Sequence, residues 1–183
     1  MAEILGCPAC YPSGQVATKT QIRPEDYLRM SFEHDAEFVH GDIVERSIPD
    51  YIHGRIQSLL AFLFGMATKD HHLYPCSEVR MKLAPEVYRI PDVAVFAGSS
   101  PKERVPETPP LVIVEIVSES DRHHDLMQKL EEYRNWEVRY IWVINPMTKS
   151  FLSYNEAGLQ NVSSVSLAEY PFQLTPAELF ANL

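Results

Sequence analysis

The sequence predicts an α/β fold, in which helices cover a central β-sheet, and two observations support this. LVIVEIV from Leu111 and YIWVINP from Tyr140 are apolar runs with the length and composition of buried strands. Between them, DRHHDLMQKLEEYRNW from Asp121 has the spacing of an amphipathic helix. A strand, a helix and a second strand in this order indicate a parallel crossover, which places the helix against the sheet.

The remaining elements follow from local patterns. RPEDYLRMS, with Pro24 at its start, predicts a short helix. AEFVHGDIVERSI predicts a β-hairpin around His40-Gly41-Asp42, because a glycine there can take a positive φ. YIHGRIQSLLAFLFGMATK predicts a helix with one buried face, EVRMKLAPEVYRIPDVAVF predicts two strands about a turn, and FLSYNEAG and NVSSVSL predict edge strands. TPAELFANL predicts a C-terminal helix capped by Thr175.

Length and composition indicate a globular chain. Its 183 residues and 45% hydrophobic content predict one domain, residues 21–183, after a flexible segment, residues 1–20, that has no sustained periodicity. No apolar stretch reaches the length of a membrane-spanning helix, and the N-terminus lacks a basic stretch before an apolar one, so we expect a cytoplasmic protein. Three cysteines fit a reducing compartment. Cys7 and Cys10 form a lone CPAC motif, which is either a zinc or redox pair or part of a frayed end.

The formal net charge of −9 differs from that of a general nucleic-acid binder, which usually has an overall basic balance. An acidic protein can still carry a local basic strip. Seven cations are grouped in and near the central third of the chain: Arg80, Lys82, Arg89, Arg122, Lys129, Arg134 and Arg139. We expect this group to form such a strip.

Glu115 is a carboxylate near the end of an otherwise apolar strand. Burying an unpaired carboxylate is costly, so Glu115 needs a cation, a proton or a metal ion as its partner. Asp92 follows Pro91 at the start of the apolar run VAVF, and Lys129 lies on the helix after the strand of Glu115. These three charged residues are therefore the candidates for a site at the edge of the sheet.

The position of Lys129 on its helix supports this grouping. At roughly 100° per residue, Lys129 falls only about 60° from the centre of the buried face formed by Leu126, Leu130 and Tyr133. Asp125 falls farther round, nearer to solvent. Because a lysine on the flank of a buried face can run its stem along apolar surface, its ammonium can reach the sheet edge.

Two carboxylates and a lysine suit metal-dependent hydrolysis of a phosphodiester. Mg²⁺ or Mn²⁺ prefers carboxylate and water oxygens, polarises the phosphoryl group and lowers the pKa of a bound water. A lysine can orient or help to deprotonate that water and offset developing negative charge. The sequence thus predicts a Mg²⁺ or Mn²⁺ site formed by Asp92 and Glu115, with Lys129 serving the water.

Several of these residues have a structural alternative. Asp92 after a proline is also typical of a strand start or a turn. Lys129 has Asp125 four residues before it, which is the favourable order for an ion pair on the surface of a helix. His53 and Gln57 lie one helical turn apart, and they either face the site or form a structural pair.

Taken in order, these segments resemble a known family. EFVHGDIVE, His53 at the start of a helix, RIPDVAVF, PPLVIVEIVS, the spacing from Asp125 to Lys129 and YIWVINP together resemble the Uma-type family of restriction endonucleases, within the PD-(D/E)XK nuclease superfamily. The match runs from Pro24 to the C-terminus. The resemblance implies a restriction-endonuclease-like mixed central β-sheet flanked by α-helices, with an N-terminal helix and β-hairpin, and a metal-dependent nuclease-like site.

The resemblance also implies roles for single residues. Asp92 matches the acid of the PD motif, and Glu115 matches the second acid. The superfamily's usual lysine position, two residues after that acid, is Val117 here, and Lys129 matches the family's own lysine. Glu37 matches the glutamate of the family's E-x-x-x-G hairpin, where it either approaches the metal or fixes the hairpin. The family's glycine before the YIWV strand is replaced by a glutamate, which predicts a local loop adjustment.

The leading hypothesis is a Mg²⁺- or Mn²⁺-dependent endonuclease that acts on DNA, with Asp92, Glu115, Lys129 and Glu37 as catalytic residues. Nucleases of this superfamily often act as dimers, so the resemblance implies a homodimer. Two alternatives stay open at this point: a catalytically inactive binding or assembly protein that retains the fold, and a hydrolase of another phosphate ester, which the acidic net charge favours. The pattern does not specify a target sequence.

Overall fold

The computed structural model describes residues 22–118, 122–181 and 183, so the segment 1–20 and the Cys7–Cys10 pair lie outside the described residues. The elements are, in order, α1 (Pro24–Tyr27), β1 (Ala36–Val39), β2 (Asp42–Glu45), α2 (Tyr51–His71), β3 (Leu73–Ser77), β4 (Met81–Ala84), β5 (Val87–Arg89), β6 (Val93–Ala97), β7 (Val112–Ile116), α3 (His123–Asn135), β8 (Tyr140–Asn145), β9 (Ser150–Asn155), β10 (Gly158–Val162), β11 (Val165–Leu167), β12 (Phe172–Leu174) and α4 (Pro176–Phe180). None of the helices in these ranges combines the length and the apolar character that crossing a membrane requires.

The central sheet has six strands in the order β10-β9-β8-β7-β6-β3. Strands β7 and β8 are parallel and are joined through α3, whereas the other neighbouring strands are antiparallel. The predicted crossover is therefore present and the sheet is mixed. FLSYNEAG, predicted as an edge strand, forms β9, which has a neighbour on each side.

The stretch EVRMKLAPEVYRIPDVAVF forms three strands, so the prediction of two was wrong. Strands β4 and β5 join β1 and β2 in a separate four-stranded sheet, and β6 joins the central sheet. Pro91, between β5 and β6, cannot donate to a ladder, and the chain passes from one sheet to the other around it. Strand β3 was not predicted. It contains Pro75, which is tolerated because β3 lies at the edge of its sheet.

The alternation of side chains along β7 determines which layer each of them contacts. Val112, Val114 and Ile116 pack in the cluster that includes the apolar face of α2. Ile113 packs in the cluster that includes the buried residues of α3. Because successive side chains of a strand point to opposite faces, Glu115 takes the same face as Ile113, toward α3.

The β1–β2 hairpin brings an acid toward the central sheet. Its two-residue turn, His40-Gly41, has φ values of 49° and 88°, as a type I′ turn requires. In the pairing of β1 with β5, Phe38 lies opposite Tyr88. Continuing that antiparallel register by one residue places Glu37 opposite Arg89.

Helix α3 ends in a Schellman motif. The backbone N–H of Glu137 donates to the carbonyl of Arg134 over 2.9 Å, and that of Val138 donates to the carbonyl of Tyr133 over 3.1 Å. Glu137 has a φ of 66°, in the left-handed region that glycine adopts without steric cost. The departure from the family pattern therefore places a non-glycine residue in a backbone conformation that favours glycine.

Candidate active site

A cavity of about 210 Å³ lies at the carboxyl end of β7 and brings most of the predicted site residues together. The predicted residues in its wall are Glu37, His53, Asp92, Glu115, Asp125 and Lys129. Gln57 contacts the site from behind, because its side-chain amide donates to the backbone carbonyl of Asp92 over 2.9 Å. The side chain of Asp125 is 66% exposed.

Asp92 and Glu115 come from neighbouring antiparallel strands. The register of β6 and β7 pairs Val93 with Val114, and its continuation by one residue places Asp92 opposite Glu115. Oδ2 of Asp92 accepts a hydrogen bond of 2.7 Å from the backbone N–H of Ile116. Both acids are buried, with 3% and 5% of their surface exposed. Pairing within the sheet thus holds the two carboxylates side by side.

Lys129 reaches these acids from α3. Its Nζ lies 3.2 Å from Oε2 of Glu115 and 3.1 Å from Oε1 of Glu37. Tyr133, one turn further along the helix, donates a hydrogen bond of 2.6 Å to Oε1 of Glu115. Within the described residues, the ion pairs of Lys129 are with these two buried acids and not with Asp125.

The electrostatics show why Glu115 is unusual. Burial, together with the negative charges of Asp92 and Glu37, raises the pKa of Glu115 to about 7 against the opposing effects of Lys129 and Tyr133. Burial alone would lower the pKa of Lys129, but the three carboxylates outweigh it and hold that pKa above its ordinary value. The ammonium therefore remains charged near neutral pH. Glu115 is the group at which a proton or a further cation relieves the excess negative charge.

Both carboxylate oxygens of Glu37 form contacts within the protein. Its Oε1 accepts from the backbone N–H of Ile90 over 2.9 Å as well as contacting Lys129, and its Oε2 lies 2.8 Å from Nη1 of Arg89. Arg89 also pairs with Glu132 over 2.6 Å. Burial opposes ionisation of Glu37, but Lys129 and Arg89 outweigh it and lower its pKa. This carboxylate therefore links the hairpin to the lysine.

His53 and Gln57 both contact Asp92, but only His53 lies in the cavity wall, and Gln57 binds the backbone carbonyl of Asp92. Nε2 of His53 lies 3.2 Å from Oδ1 of Asp92. Burial alone would lower the pKa of His53, but its interactions with the Asp92 carboxylate raise it. The same imidazole, with Lys129 and the N–H of Ile116, lowers the pKa of Asp92 in spite of burial. Asp92 is thus held ionised.

Sequence reasoning missed Arg46 and the hydroxyl of Tyr133. Arg46, directly after β2, places Nη2 2.8 Å from Oδ1 of Asp92 and Nη1 3.6 Å from Oε1 of Glu78, and its side chain is 14% exposed. Arg46 and Asp92 are 46 residues apart, and no local pattern signals such a pair. Helical spacing places Tyr133 on the buried face of its helix but gives no signal for the contact of its hydroxyl with Glu115.

The predicted basic strip is not present as a set of free cations. Five of the seven cations form ion pairs with acidic side chains: Arg80–Asp35, Lys82–Glu107, Arg89–Glu37, Arg134–Glu131 and Arg139–Glu169. Lys129 is held by the buried carboxylates described above. Grouping along the chain does not show which acids the fold brings alongside, and a basic strip stays a prediction.

The donor set at the cavity fits a hard divalent cation with few protein ligands. Within the described residues, no cluster of three or more histidine, cysteine, aspartate or glutamate side chains is arranged to hold a metal. Mg²⁺ commonly binds through one or two carboxylates and takes its other ligands from water and substrate phosphates. Asp92 and Glu115 match that pattern, and the raised pKa of Glu115 marks the excess negative charge that a cation would neutralise.

A mixed sheet with two acids on adjacent strands and a lysine on the covering helix is the arrangement that the family resemblance implies. The chain belongs to the Uma2 family, whose description is "Putative restriction endonuclease" and which matches residues 24–181. Among solved structures, "a putative nuclease belonging to DUF820" from Anabaena variabilis ATCC 29413 is similar, with a TM-score of 0.78 and 17% sequence identity over 87% of this chain and 98% of that chain. This likeness confirms the predicted fold. None of the curated proteins matches the chain.

Proposed function

We propose that this protein is a nuclease that hydrolyses phosphodiester bonds in DNA with Mg²⁺ or Mn²⁺ bound at Asp92 and Glu115. The observation that carries the proposal is the convergence of these two buried carboxylates and the Lys129 ammonium on one cavity. Membership of a family described as restriction endonucleases supports it. Endonucleolytic cleavage, a homodimeric state and a cytoplasmic location are parts of the same proposal.

The roles of the side chains follow from their contacts. When bound, a divalent cation supplies polarisation of the phosphoryl group and a bound water with a lowered pKa. Lys129 remains charged beside Glu115, so it can orient the attacking water and offset negative charge on the phosphate. Glu37 holds the ammonium in place, while His53 and Gln57 hold Asp92.

A second candidate function is a binding or assembly protein that retains the fold without catalysis. The ion pair between Arg46 and Asp92 favours it, because a guanidinium satisfies the carboxylate without a metal. The acidic net charge still favours the other alternative, hydrolysis of a smaller phosphate ester. The three functions differ in what they do to DNA and to a small diester in the presence of Mn²⁺.

A cleavage assay separates them. Supercoiled plasmid, linear duplex, single-stranded and branched DNA are incubated with Mn²⁺ and with the wild type, Glu115→Gln or the control Glu103→Gln, which changes an exposed loop carboxylate. We expect nicking or cleavage by the wild type and the control, and loss of activity in Glu115→Gln with an unchanged circular dichroism spectrum.

Two outcomes contradict the proposal. A wild type that leaves every DNA form intact and hydrolyses no small diester supports the binding protein, whether or not it binds Mn²⁺. A wild type that hydrolyses bis(p-nitrophenyl) phosphate but no DNA supports the small phosphate ester.

A further inference from the structure

Arg46 occupies the oxygen of Asp92 that a metal ion would need. Oδ2 of Asp92 accepts from the backbone N–H of Ile116, which ties that oxygen to the strand. Oδ1 is the other oxygen, and it is contacted by Nη2 of Arg46 at 2.8 Å and by Nε2 of His53, which projects from α2, at 3.2 Å. A guanidinium and a divalent cation repel each other, so the two cannot both bind Oδ1 closely.

Arg46 is held less firmly than the other cation of the site. Lys129 projects from a regular helix and is gripped by two buried carboxylates at 3.1 Å and 3.2 Å. Arg46 lies between β2 and α2, outside both elements, and its second carboxylate, that of Glu78, is 3.6 Å away and 42% exposed. If a metal binds at the two acids, Arg46 is therefore the cation that moves.

The displaced guanidinium would still line the cavity. Arg46 is part of the cavity wall, as are Lys129 and Arg122. The planar fork of an arginine matches the geometry of a phosphate group, to which it can donate two parallel hydrogen bonds. A phosphate that enters the cavity with the metal is thus a suitable new partner for Arg46.

We propose that Arg46 competes with the divalent cation for Asp92 and that metal binding transfers its guanidinium to a substrate phosphate. The phosphate half of this inference rests on the proposed function, whereas the competition for Asp92 does not. Linkage then requires that metal and phosphodiester strengthen each other's binding, because each favours the state in which Arg46 has left Asp92.

The competition is tested by calorimetric titration of Mn²⁺ alone into the metal-free wild type, Arg46→Gln, Arg46→Lys and a control, Arg80→Gln. Arg80 is a matched arginine whose carboxylate partner, Asp35, lies outside the cavity wall. We expect Arg46→Gln to bind Mn²⁺ about tenfold more tightly than the wild type, because the metal no longer displaces a charge-assisted hydrogen bond. Arg80→Gln should bind as the wild type does. Arg46→Lys should also bind Mn²⁺ more tightly than the wild type, by a smaller factor than Arg46→Gln. This variant replaces Arg46→Gln in the test if the glutamine variant does not fold.

The transfer is tested by repeating the titrations with a phosphorothioate-linked dithymidine, which carries one diester anion. The dinucleotide should tighten Mn²⁺ binding in the wild type and have little effect in Arg46→Gln. Equal tightening in both proteins overturns the transfer. The competition is overturned if neither Arg46 variant binds Mn²⁺ more tightly than the wild type. It is also overturned if none of the proteins binds Mn²⁺. If Arg46→Gln binds Mn²⁺ more tightly than the wild type but the wild type cuts no DNA, the competition for Asp92 is supported and the proposed function is contradicted.

Discussion

Replacing Glu115 by glutamine should change how the stability of the metal-free protein depends on pH. Burial raises the pKa of Glu115 from an ordinary value near 4.5 to about 7. Because the folded state binds this proton more tightly, its contribution to stability is fully present below about pH 4.5 and is lost as the pH rises through about 7. A shift of two to three units at about 1.4 kcal/mol per unit corresponds to about 3 kcal/mol.

Urea denaturation followed by circular dichroism in EDTA measures this effect. The free energy of unfolding of the wild type, relative to that of Glu115→Gln, should fall by about 3 kcal/mol between about pH 4 and pH 8. Taking the difference cancels the titration of the groups that do not interact with Glu115, and Glu103→Gln should follow the wild type at every pH. A constant difference between the wild type and Glu115→Gln would refute the reasoning, because it would mean that the folded state does not bind a proton at Glu115 more tightly.

Three further substitutions test the contacts of Glu115 and Glu37. In metal-free Lys129→Met, the pKa of Glu115 should rise above about 7, because a positive charge is lost from a desolvated site. Carbon-13 NMR of the glutamate carboxyl groups measures this pKa, and an unchanged value would mean that Lys129 does not face Glu115. Glu37→Gln should lower the free energy of unfolding by about 1.5–3 kcal/mol, because Arg89 loses one charged partner and keeps Glu132, and a change within experimental error would argue against the Glu37–Arg89 pair. Tyr133→Phe should also raise the pKa of Glu115, since the hydrogen bond to its carboxylate is lost, and the same NMR titration would contradict the contact if the pKa stayed the same.

The parts of the fold that could be predicted depend on residues close together in the chain. The capping box of α4 needs only Thr175 and Glu178, whose backbone N–H donates to the threonine hydroxyl over 3.2 Å. The hairpin turn needs only His40-Gly41 with two flanking strands. By contrast, β3 was missed because Pro75 weakens its local signal, and only the neighbouring strand β6 makes it part of a sheet.

The candidate site divides in the same way. Glu115 could be found because a charged residue interrupts an apolar strand, and Lys129 because helical spacing turns it toward that strand. The partners Arg46 and Arg89 could not, because their contacts with Asp92 and Glu37 join residues 46 and 52 positions apart. Such pairs depend on how two sheets meet, which local periodicity does not describe.

The central claim is that Asp92 and Glu115 together hold one divalent cation. Electron paramagnetic resonance of Mn²⁺ tests this claim directly, since free Mn²⁺ gives a signal that is lost on binding. The wild type and Glu103→Gln should each bind one Mn²⁺ per chain. Asp92→Asn and Glu115→Gln should each weaken that binding by at least about tenfold, as loss of even an outer partner of a metal site commonly does. A wild type that does not bind Mn²⁺, or equal binding by all four proteins, would contradict the account.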